Sequence, residues 1–95
     1  MKDMKIIIKH DMGDIIEYSR KYTDSSRKNC EITLYCKPIQ VSHDDNKSPL
    51  YEILNIGDIE GYLFRGDKST LKQVIFTDGN VPDEIKLFFE IGISN

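Results

Sequence analysis

Two His-Asp dipeptides, His10-Asp11 and His43-Asp44, with Asp14 and Asp45 close by, carry the side chains that could hold a divalent metal through imidazole nitrogen and carboxylate oxygen. Their spacing matches no ligand motif. Asp11 suits a helix N-cap, and the second pair falls in Ser42–Lys47, the most polar run of the chain, which reads as an exposed loop. A metal-dependent hydrolase built on His10, Asp11, His43 and Asp44 is therefore the third reading only, and no metal or cofactor is expected. Nucleophilic catalysis has no better basis, because no serine sits in a Gly-x-Ser-x-Gly turn. Cys30 and Cys36 are expected to face inward, whereas a reactive thiol needs an exposed, electropositive setting.

The basic, aromatic cluster Tyr18, Arg20, Lys21 and Tyr22, extended by Arg27 and Lys28, is the best small-ligand candidate. Guanidinium and ammonium groups would hold a phosphate while a tyrosine stacks on a base. Charge complementarity at a helix C-terminus, with one tyrosine buried, explains the same residues more simply. A phosphate cradle of the glycine-loop type is not expected. Asp14 falls in the first turn of one expected helix and Asp83 and Glu84 in that of another, where they would repel an anion. Asp78-Gly79-Asn80 then reads as a tight strand-to-helix connection. Arg65-Gly66-Asp67 reads as hairpin-loop chemistry and is given no role.

The elements that would position these groups follow from periodicity. Met4–Lys9 is dense in β-branched residues, with Ile6 and Ile8 on one face and Ile7 on the other, which suggests an interior strand. Met12, Ile15, Ile16, Ser19 and Tyr22 recur at helical spacing, so a helix is expected from Met12 to Thr23 behind the Asp11 cap. Cys30–Val41 alternates, with Cys30, Ile32, Leu34 and Cys36 on one side and Glu31, Thr33, Tyr35 and Lys37 on the other. Pro38 marks an edge or a bulge in that strand. In one strand the two thiols stand roughly 20 Å apart, beyond the ~7 Å that a disulfide spans.

Ser48-Pro49 looks like an N-cap and first helical residue, giving a short helix over Pro49–Asn55; a strand is the alternative, since Leu50, Glu52, Leu54 and Ile56 also alternate. Gly61–Arg65 and Leu71–Thr77 read as a hairpin. A last helix starts near Val81-Pro82, with Val81, Ile85, Phe88, Phe89 and Gly92 in one stripe and Leu87 and Ile91 on its flank. The order β-α-β-(α)-β-β-α gives one α+β domain over residues 1–95, with a sheet of about four strands and two to three helices.

Composition narrows the partners. The chain has 95 residues, 39% hydrophobic and 31% charged, with 16 acidic against 13 basic residues and a net charge of −3. That balance suits a folded domain and opposes general nucleic-acid binding. The run of three isoleucines, Ile6–Ile8, is too short for a signal or a membrane span, so a cytoplasmic setting is expected, in keeping with free thiols. Alanine and tryptophan are absent and isoleucine and lysine abundant, a style associated with AT-rich coding sequence.

The hairpin and last helix carry more apolar surface than one small core covers, so Leu63, Leu87, Phe88 and Ile91 are expected to form an oligomer interface, a homodimer in the simplest case. The polar loop with His43, Asp44 and Asp45 would meet a protein partner. The function expected is stoichiometric protein binding without catalysis, as in a phage or mobile-element inhibitor of a host defence protein. A nucleotide-binding domain using Tyr18, Arg20, Lys21, Tyr22 and Arg27 is the alternative.

Overall fold

A computed structural model of the chain describes residues 6–39, 49–71 and 74–89. Among them are six strands, β1 (Ile6–Asp11), β2 (Ile16–Thr23), β3 (Asn29–Ile39), β4 (Leu50–Ile56), β5 (Leu63–Arg65) and β6 (Ile75–Phe76), and one helix, α1 (Asp83–Phe89). The strands form a single antiparallel meander in the order β1-β2-β3-β4-β5-β6. This corrects the α+β expectation: the protein is mostly sheet, with six strands where four were expected and one short helix where two or three were.

The expected helix from Met12 to Thr23 is the β1–β2 turn followed by β2. Its apolar residues satisfy a period of two as well as 3.6, and burial selects the former: Ile16, Tyr18 and Arg20 are buried on one side, with half-buried Tyr22 following. Asp11 caps no helix. Its Oδ1 accepts the Gly13 N–H at 2.9 Å, a side-chain turn that Gly13 completes at φ +87, and the Met12 N–H donates to the Ile15 carbonyl at 2.9 Å. The same aspartate chemistry that starts helices thus closes a hairpin here.

β1 is an edge strand and not an interior one; it pairs only with β2 among the described strands, and Ile7 is 49% exposed. Pro49–Asn55 is not a helix either. Leu50–Ile56 pairs with β3 on one side and β5 on the other, as its alternation allowed. Pro38 is tolerated within β3 because β2 pairing reaches only as far as Cys36, so the proline faces a partner strand on the β4 side alone, opposite Tyr51. The bulge lies one strand over. Ile53 and Asn55 oppose Cys36 and Tyr35, leaving Leu54 extra, and the core phase of β4 moves from Tyr51 and Ile53 to Ile56.

A second bulge brings β5 alongside β4. Gly61 donates to the Ile53 carbonyl at 2.8 Å while the Ile53 N–H donates to Tyr62 at 2.7 Å. Two residues thus face one, and Gly61 takes φ +91, a conformation open to glycine at little cost.

One face of the sheet carries the core: Ile16, Tyr18, Leu34, Cys36, Tyr51, Ile53, Ile56 and Phe64 are all essentially inaccessible. α1 lies over it with Ile85 and Phe88 buried, and Val81 and Phe89 pack against the same cluster, so the expected stripe of the last helix is its core face. Phe64 is the hub of the aromatic packing. Its ring stacks on Tyr51 at 5.3 Å and meets Phe76 at 5.7 Å and Phe89 at 5.3 Å, tying three strands to the helix. Replacing Phe64 with alanine removes all three contacts and leaves a cavity, with an expected loss of about 3–5 kcal/mol, read as a lower urea midpoint at unchanged slope.

Candidate functional site

The second face of the sheet is only partly covered: Ser19 and Leu50 fall on it by strand alternation and are buried, while other side chains on it are open. Ile7 on β1, Tyr35 on β3 and Ile75 on β6 each alternate with core residues and stand 49%, 39% and 67% exposed. The same face carries cross-strand ion pairs on β1, β3 and β4. Lys9 Nζ lies 3.2 Å from Glu31 Oε2, which also accepts the Ser19 hydroxyl, and Lys37 Nζ lies 3.7 Å from Glu52 Oε1. The Ser19 and Lys9 contacts hold the Glu31 carboxyl below its ordinary range. The sequence pattern had already put Tyr35 on the outward side of its strand. It gave no sign that Ile7 and Ile75 would share that side, because strand order was not legible.

The expected small-ligand residues do not assemble into a pocket. In a strand, Tyr18, Arg20 and Tyr22 fall on the core face and Lys21 on the other, while Arg27 sits in the β2–β3 turn at φ +67. Tyr18 is inaccessible and its hydroxyl donates to the Lys68 carbonyl at 2.6 Å. Arg20 is 5% exposed, and its Nη1 donates to the Leu87 carbonyl in the last turn of α1 at 2.8 Å. Both groups have structural partners.

His10 and Asp11 each pair with a protein group. His10 Nδ1 meets Glu17 Oε1 at 2.8 Å, and Asp11 Oδ2 meets Lys68 Nζ at 2.9 Å. Hydrogen bonds from Lys68 and from the Gly13 backbone hold the Asp11 carboxyl below its ordinary value. Among the described residues no three His, Cys, Asp or Glu side chains converge. His43, Asp44 and Asp45, expected to meet a partner, lie outside the described residues.

The expected oligomer interface is also divided. Phe88 is fully buried beneath α1 and belongs to the monomer's core. Leu87 is 37% exposed on the helix, while Leu63 alternates with buried Phe64 and so points away from the face that α1 covers. Ile91 lies outside the described residues. An open groove of about 320 Å³ is lined by Glu60, Gly61, Tyr62, Leu63, Thr77 and Asp78. Its two carboxylates disfavour an anion. The Asp78 carboxylate also accepts the Asn80 N–H at 3.0 Å, so Asp78-Gly79-Asn80 is a side-chain-closed turn.

Both cysteines are free, Cys36 buried and Cys30 half-buried. Burial pushes the Cys36 thiol up to about 12 and raises both the Tyr18 and Tyr51 phenols. Once unfolded, the thiol ionises near 9.0 and the phenols near 10.0. Above pH ~9 the unfolded chain therefore releases protons that the native state keeps, so these groups contribute fully below pH ~9 and progressively less as pH rises toward 12. Urea midpoints are expected to fall across that interval, and Cys36→Val is expected to flatten its lower part.

No helix among the described residues is long and apolar enough to cross a membrane. No protein-family model, curated protein or solved structure matches the chain, so its function is read from the surfaces just described.

Proposed function

We propose that this chain acts by stoichiometric binding to a protein and presents the open face of its sheet to that partner. The observation that carries the reading is the exposure of Ile7, Tyr35 and Ile75 on one face, which also carries the Lys9–Glu31 and Lys37–Glu52 pairs. Apolar and tyrosine anchors within a polar surround are how protein interfaces are commonly built. Binding through a sheet edge has less support. β1 carries a register break between Ile8 and His10 and ends in Lys9, His10 and Asp11, and β6 is two residues long. Charges, bulges and short strands are the means by which edges are kept from pairing.

The nucleotide reading has less support as well, since Tyr18 and Arg20 are enclosed by the core and by α1. A cytoplasmic setting suits the two free thiols, and the small, acidic composition suits an inhibitor of the phage or mobile-element kind. Affinity capture from the lysate of the native source, with mass measurement of the complex, is expected to return one partner at fixed stoichiometry. Tyr35→Ala combined with Ile75→Asp is expected to weaken that complex at least ~10-fold without moving the urea midpoint. A complex indifferent to both substitutions would place the contact elsewhere and overturn the open-face reading.

A further inference from the structure

The connection between β5 and β6 does more than turn the chain. Gly66 donates to the Pro49 carbonyl at 3.2 Å, and from there residues 67–71 fold into a tight turn over the core face. Asp67 Oδ2 accepts from the Ser69 hydroxyl at 2.9 Å and from the Thr70 N–H and hydroxyl at 3.0 and 2.7 Å, while the Leu71 N–H donates to the Asp67 carbonyl at 2.6 Å. This turn reaches across to the far side of the sheet. Lys68 accepts the Tyr18 hydroxyl on its backbone carbonyl and meets Asp11, at the β1–β2 turn, with its ammonium group.

Tyr18, which the turn holds by its hydroxyl, stands beside Tyr51 and Cys36 in the core, none of the three more than 1% exposed. The packing is tense at one point. Leu71 is 3% exposed and takes φ +51, a left-handed conformation that a leucine adopts at a cost and that its buried seat maintains.

We propose that residues 66–71 form a latch over the Tyr18–Tyr51–Cys36 cluster, and that its opening, with the rest of the sheet intact, is the event that exposes Cys36. Three features favour a local opening over a global one. The segment belongs to no strand, so its leaving gives up the Gly66–Pro49 backbone hydrogen bond but no strand pairing. Its contacts to the β1–β2 side run through Lys68, whose ion pair with Asp11 is solvent-exposed on both partners. Release of Leu71 relieves an unfavourable backbone conformation, which offsets part of the cost of lifting it. Segments with few ladder bonds and exposed ties open at lower free energy than the sheet they cover.

The experiment uses the whole chain carrying Cys30→Ser, a maleimide as the probe, and mass spectrometry to follow modification of Cys36 in urea. The rate is expected to be nearly independent of urea at low concentration and to rise steeply only as the global transition approaches. Lys68→Ala is expected to raise the low-urea rate about threefold, in keeping with loss of an exposed ion pair. Tyr18→Phe is expected to raise it about fivefold through loss of one buried hydrogen bond. Modification that follows the steep global dependence at every urea concentration in the Cys30→Ser chain overturns the proposal whether or not the variants fold. A low-urea rate unmoved by Lys68→Ala overturns the role of Lys68.

Discussion

Covering one face of a six-stranded sheet with very little chain is the constraint on which the rest of this structure depends. Among the described residues α1 spans seven, and the turn over residues 66–71, with Ile59, Val74 and Val81, adds to its cover. The sheet must therefore fill much of its own core. It does so with large side chains standing up from the strands: Tyr18 from β2, Tyr51 from β4 and Phe64 from β5, all among the largest inaccessible groups. Their size explains the mixed polarity of the core. A tyrosine long enough to fill the gap carries a hydroxyl that needs a partner, and Tyr18 finds it in a backbone carbonyl of the covering turn.

Arg20 follows from the same constraint. A buried cation costs several kcal/mol in lost hydration unless donors are matched, yet Arg20 stands 5% exposed beneath the helix. Its bond to the Leu87 carbonyl satisfies one of the acceptors that every helix leaves unpaired in its last turn, and its charge complements the dipole there. A helix of seven residues is not stable by itself. Ile85 and Phe88 below it and Arg20 at its end make α1 a part of the sheet's packing. Lys21 could not serve in this way, because strand alternation turns it to the opposite face.

Where the sequence carried one period, it could be read; where it carried two, tertiary context decided. Cys30–Cys36 alternates without ambiguity, and β3 has the faces that its pattern implies. The stripe of the last helix, Val81, Ile85, Phe88 and Phe89, was legible for the same reason, and Phe88, expected at an interface, is buried in the core. Residues 12–23 fit both periods, and the aspartate and glycine at their start serve a hairpin as well as a helix. With that segment a strand, the basic cluster that a helix would have gathered is divided between two faces. The latch was not legible, because Asp11 and Lys68 are far apart in sequence and meet only through the order of the strands.

The open face shows why its charges are better understood as pattern than as stabilisation. Lys9 and Glu31 are 41% and 36% exposed at their side chains, and Lys37 and Glu52 are 47% and 35% exposed. Pairs so wet contribute between nothing and about 1 kcal/mol each. Their arrangement matters more: Lys9 and Lys37 each face a glutamate on another strand, so β1 to β4 present both signs around Tyr35, with Ile7 on the first edge strand and Ile75 on the last. A polyanion would meet a carboxylate beside every ammonium group, and a flat lipid surface would have to strip water from both. A folded protein can match alternating charge site by site while seating its own side chains against the apolar points, which is how charge patterns set specificity and association rate more than affinity. On the reading proposed above, it is this pattern, and not the net charge of the chain, that a protein partner would match.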